Sequence, residues 1–180
     1  MPEVFHRVNW VDILVLILLF RTSYIGARSG LSNEIYKLIG VLLGVYIGMK
    51  YYAPLGSYIN ATITLPQELV DGVSFLILIL LAMLSLKLVG MGLTKIVKLA
   101  FAEAIDKWIG FFAGLFRGAV LASLLFALFG IFQIDYLVKS VEERSLTGPF
   151  IEKIAPYAYQ LVSRTSPPLP DIKAVPGKSK

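Results

Sequence analysis

The stretch ARSGLSNEIYKLIGVLLGVYIG (residues 27–48) decides how this chain is read. Arg28, Glu34 and Lys37 open it, and an aliphatic run follows in which Gly40, Gly44 and Gly48 recur at every fourth position. Residues four apart share one face of an α-helix, so the glycines form a smooth strip where a second backbone can approach closely. The stretch therefore reads as the hinge and opening of a membrane-spanning helix with a glycine packing face. The pattern returns further along. IDKWIGFFAGLFRG (residues 105–118) lies over IYKLIGVLLGVYIG (residues 35–48), matching Lys37 with Lys107 and Gly40, Gly44 and Gly48 with Gly110, Gly114 and Gly118. Two identical trios behind a lysine predict close helix packing, and they raise the idea of a duplicated two-helix unit whose copies run parallel.

Composition agrees with a membrane setting. Of 180 residues, 57% are hydrophobic and 16% charged, and the mean hydropathy is +0.74. That is more apolar surface than a soluble domain of this size can bury, so the excess must face lipid. There is no cysteine, which excludes a disulfide framework, a thiolate metal site and a thiol enzyme. The net charge is +5, but the Lys and Arg residues are scattered between apolar runs, which suits orientation in a bilayer and not nucleic-acid binding.

The fold class expected is all-α: a polytopic membrane protein with four transmembrane helices and amphipathic surface helices. The apolar runs place those helices at about residues 11–25, 35–52, 70–89 and 109–134, inside a transmembrane domain of residues 1–136. The first run is short and flanked by Asp12 and Arg21. It spans only if tilted or if Arg21 snorkels, and it reads as an anchor and not as a cleaved signal peptide because no small-x-small cleavage site follows. Residues 94–108 repeat apolar positions at helical spacing, as either a surface helix or an extension of the third helix. Residues 137–164 form an amphipathic C-terminal region in which Pro156 is expected to kink or split the helix. Residues 165–180 are proline-rich with little to bury, and disorder is expected there.

Loop charges put Arg21, Arg28 and Lys37 of the first loop and Lys95, Lys98 and Lys107 of the third on the cytoplasmic side, with both termini outside. Lys139, Arg144, Lys153 and Arg164 run against that orientation. Among single residues, Arg117 interrupts the fourth run about 13 Å past an interface marked by Trp108. Side chains on a helix lean toward its amino terminus, so Glu34 is the expected partner of Arg117, with Asp106 more remote along the same helix. Arg117 either ties two helices together or lines a polar path, since intramembrane charge is a functional flag. Asp12 reads as a helix cap at the interface. His6, the one histidine, has no second ligand near it. No catalytic triad, zinc motif or phosphate loop occurs, so neither an enzyme nor a cofactor is expected.

NWVDILVLIL near the amino terminus, GARSGLSNEIYKLIGVLLG and DKWIGFFAGLFRGAVLAS together resemble the bacterial colicin V production (CvpA) family over residues 8–134. Asp12, Arg28, Gly30, Glu34, Asp106, Gly110, Gly114, Arg117 and Gly118 fall on the family pattern. Ser29 and the Ser32–Asn33 pair make the first turn more polar than the usual version. The resemblance implies a multi-pass protein of the bacterial inner membrane, tied to production or export of a peptide toxin and to envelope function, without catalytic activity. Two readings follow. One is a scaffold or assembly factor that self-associates or pairs with another membrane protein through its glycine faces and surface helix. The other is a small oligomeric channel or transporter with a polar path at Arg117 and Glu34.

Overall fold

The structure is a computed structural model, and it describes residues 9–63, 65–93 and 103–165. Everything regular in it is helical: α1 (Trp10–Asn60), α2 (Gln67–Leu93), α3 (Glu103–Ile131), α4 (Asp135–Glu142), α5 (Gly148–Ile151) and α6 (Ile154–Thr165). Among the described residues, four stretches are long and apolar enough to cross a membrane: Trp10–Leu31, Asn33–Asn60, Gln67–Gly90 and Ile105–Ile131.

The first two spans both belong to α1, which breaks at Gly30 (φ 74°, ψ 167°). Only glycine occupies that backbone region without strain. Helix pairing changes sense there. Before the break, Gly26 packs on Gly110 and Thr22 on Gly114 and Gly118, so the first span runs antiparallel to α3. After it, Glu34 meets Arg117, and further along Val41 and Val45 share a core with Val120, Leu124 and Leu128, so the second span runs parallel to α3. The chain therefore folds back on itself at Gly30. α2 then returns antiparallel along the second span, with Gly90 beside Tyr36, Ile79 beside Gly44 and Asp71 beside Gly56. It barely meets α3.

Several helix limits differ from those expected. The first span runs past residue 25 to Leu31 because the polar tail of TSYIGARSG turns inward: Thr22, Ser23, Gly26 and Gly30 are all buried. Small residues at helical spacing look, in sequence, like the end of the run. The second span runs past residue 52 to Asn60, through Pro54. The proline removes one backbone donor, but Gly56 seats against Asp71 of α2 and holds the extra turn to its neighbour. The third span exceeds 70–89 at both ends. α3 already includes residues 103–108 of the expected surface segment, whose remainder, 94–102, lies outside the described residues, as do His6 and residues 166–180. α3 stops at Ile131, short of residue 134, where Gln133 takes a left-handed turn (φ 52°) and donates its N–H to the Gly130 carbonyl.

Large apolar side chains remain exposed along the spans, among them Leu16, Phe20, Leu80, Leu84, Leu88 and Phe112. In water such a surface would be an aggregation liability, whereas in a bilayer it is the lipid face. The C-terminal region folds back onto the bundle. The break expected at Pro156 falls instead at residues 152–153, between α5 and α6, and Pro156 sits in the first turn of α6, where its missing N–H costs no helical bond. Ala155 and Ala158 of α6 enter the core beside Val41, Val45 and Val120, and Tyr159 stacks on Tyr46 at 5.7 Å. Ser123, about 12 Å inside the end of α3, donates its hydroxyl to the Glu152 carbonyl and accepts the Ala155 N–H, both at 2.8 Å. One side chain thereby satisfies the backbone groups freed at the α5–α6 break, deep within an apolar surround.

Candidate functional site

Polar residues gather at the Gly30 end of the bundle. Asp106 of α3 stands against Gly30, where a β-carbon would collide with its carboxylate. Its Oδ1 accepts the Leu31 N–H at 2.9 Å. A carboxylate at this place satisfies a free amino-terminal donor of the second span and complements the helix dipole. The remoter Asp106 is thus engaged with the hairpin and not with Arg117.

One turn further in lies Glu34, fully buried. Lys37 Nζ is 2.6 Å from its Oε1, and Arg117 Nε is 2.9 Å from its Oε2. Lys37 also donates to the Ser29 hydroxyl at 3.2 Å, back across the Gly30 break. The Arg117 contact is one of charge without an aligned hydrogen bond: Arg117 Nε and Glu34 Oε2 lack hydrogen-bond partners, and so does the buried Arg117 Nη2. Two cations around one buried carboxylate hold three elements together, at the cost of donors left unsatisfied. Arg28 is exposed and takes no part in this cluster.

The glycine trios prove unequal. Gly110 faces the backbone of Gly26, Gly114 the Thr22 carbonyl, and Gly118 the Thr22 hydroxyl. The partner strip is Thr22, Gly26 and Gly30, spaced at four, a periodicity present in the sequence but broken up by the polar residues of TSYIGARSG. Gly40 and Gly44 instead face α2 with room to spare, since a β-carbon at either would lie 3.5 Å from the nearest atom, an ordinary van der Waals contact, whereas one at Gly48 would lie 3.0 Å from Ile79. Both trios are therefore occupied within one chain, which removes them as surfaces for self-association.

At the opposite end, Asn9 and Asp12 form a capping box: Asn9 Oδ1 accepts from Trp10 N at 2.7 Å, and Asp12 Oδ2 accepts from Asn9 N at 2.9 Å. Asp12 does more than cap. Its Oδ1 accepts from the Ser145 hydroxyl at 2.7 Å and from the Thr147 N–H and hydroxyl at 2.9 and 2.7 Å, fastening the C-terminal region to the first span. Nearby Glu152 is pushed up from the ordinary carboxylate range by burial and then by Glu142, with Lys153 opposing.

These features define a four-span helical membrane protein in which Asp12, Glu34, Lys37, Asp106 and Arg117 are engaged between its helices. The model of the family described as colicin V production protein matches residues 11–156, and the chain belongs to that family. No curated protein and no solved structure matches it. The matched range takes in both ends of the bundle, from Asp12 to the docked start of α6.

Proposed function

We propose that the protein is a non-enzymatic scaffold or assembly partner of the bacterial inner membrane, acting in toxin production or export and in envelope function, as a homo-oligomer or beside another membrane protein. The observation that carries this reading is the use made of the charges. Glu34 is closed off by Arg117 and Lys37, Asp106 by the start of the second span, and Asp12 by residues 145–147. Groups spent on holding helices together do not line a continuous polar path. Because both glycine trios pack within the chain, association falls to the exposed apolar faces.

The test is flux through proteoliposomes containing the purified protein, with potassium, protons and phosphate as probes. The scaffold reading expects no flux above empty vesicles for the wild type and for Arg117→Lys. Flux that changes with the residue at position 117 while the protein stays folded would establish the conduit instead.

A further inference from the structure

Between the second span and α2, at the Gly30 end, lies a cleft of about 490 Å³. It exists because α2 leans on the second span and barely meets α3, leaving a wedge beside Arg117. Its walls divide by chemistry. Lys37, Lys87 and Arg117 line one part with Asn33, while Leu80 and Leu84 line the other. The cationic part is not balanced. Among the described residues, three positive side chains face a single carboxylate, Glu34, which sits behind them and is shared by Arg117 and Lys37. Lys87 has no ion-pair partner among the described residues, and Lys37 keeps 36% of its side-chain surface open. An uncompensated cation pair in so apolar a setting is costly unless an anion joins it.

The arrangement along α2 says what kind of anion fits. Lys87, Leu84 and Leu80 are spaced at three and four, so they stack on one helix face, charge first and then two apolar turns. Lys87 lies three residues inside the end of the third span at Gly90, near headgroup depth. Leu80 and Leu84 are 54% and 53% exposed and look outward into what would be hydrocarbon. A cleft with cations at headgroup depth and an open apolar wall below them matches an anionic phospholipid, phosphate above and acyl chain beneath. We propose that this cleft binds one anionic phospholipid, with Lys37, Lys87 and Arg117 around the phosphate and a chain along Leu84 and Leu80. The inference is independent of what the bundle assembles with and of whether it conducts.

Native mass spectrometry of the full chain, released from detergent with added phosphatidylglycerol, phosphatidylcholine or inorganic phosphate, tests it. Lys87→Gln is the informative variant because Lys87 is exposed and outside the Glu34 pair, and Lys153→Gln is a cation-removal control on an exposed residue remote from the cleft. One phosphatidylglycerol should be retained by the wild type and by Lys153→Gln, and bound about fivefold more weakly by Lys87→Gln, the effect of one basic residue near a lipid surface. Phosphatidylcholine should be lost readily, and millimolar inorganic phosphate should not displace the lipid. Equal weakening by both variants means unspecific surface charge and overturns the site. Equal retention of phosphatidylcholine means that the net negative charge of the headgroup is not read, and displacement by inorganic phosphate means a free-anion site. Either result overturns the lipid assignment.

Discussion

Asp106 accepts the Leu31 backbone N–H at 2.9 Å, so a carboxylate on α3 closes the start of the second span at the point where the chain doubles back. Gly30 sits directly before that bond in a conformation open only to glycine, with the same carboxylate filling the space a side chain would need. The reversal is thus specified twice, by backbone and by cap. Asp106→Ala should lower unfolding stability in detergent by about 1 kcal/mol, as for loss of a helix cap. Gly30→Ala should cost more, about 1–3 kcal/mol from backbone strain before any clash is counted. If Gly30→Ala matched the wild type in thermal unfolding, the reversal would have to be made some other way.

The glycine trios give opposite expectations for one chemical change. Gly114→Ala drives a methyl into the Thr22 carbonyl on a neighbouring backbone, which cannot move without parting the first span from α3. Overpacking of that kind costs about 1–3 kcal/mol. Gly44→Ala meets Ile79 at 3.5 Å, ordinary contact distance, and should stay within about 0.5 kcal/mol of wild type. Melting temperatures of the two variants, measured in the same detergent, make the comparison, and equal losses would show that the trios are equivalent after all.

That contrast shows where sequence reading reached and where it stopped. Four apolar runs were legible because a bilayer demands long uninterrupted segments. The pairing of Arg117 with Glu34 was legible because side chains lean toward the amino terminus of their helix. The inner face of the first span was not. Thr22, Ser23, Gly26 and Gly30 read as polar and loop-like in one dimension, and only the partner helix reveals that they point inward. Ser123 and Lys87 carry no sequence signal for a related reason: their surroundings come from chain segments distant in sequence, Glu152 and Ala155 for one and the second span for the other.

The buried Glu34 binds Arg117 and Lys37 together. Glu34→Ala should destabilise by about 3 kcal/mol, since it leaves the buried Arg117 charge without its partner, and Arg117→Ala should cost less, because Lys37 stays on Glu34. The double variant should lose less than the sum, with a coupling of about 1–3 kcal/mol in a double-mutant cycle. Arg117→Lys should recover part of the loss, because the charge returns without the planar guanidinium. Additive losses would mean that the 2.9 Å approach contributes nothing to stability.

Asp12 carries the last expectation, because it joins residues separated by more than 130 positions in the chain. Its carboxylate receives the Ser145 hydroxyl and both donors of Thr147, so it decides whether α5 and α6 stay docked against Ser123 and the core. Asp12→Ala should therefore raise hydrogen exchange in residues 145–165 while the second and third spans keep their protection. The same substitution also removes half of the capping box at Asn9, so fraying of the first turn is expected with it. Thr147→Val separates the two effects: it deletes a single hydroxyl bond, worth about 0.5–1.5 kcal/mol, and leaves the cap intact. Faster exchange in residues 145–165 for both variants, with the first turn unchanged in Thr147→Val, would establish Asp12 as the fastening point. If residues 145–165 exchanged at wild-type rates in both, docking would rest on Ser123 and the alanine face of α6 alone.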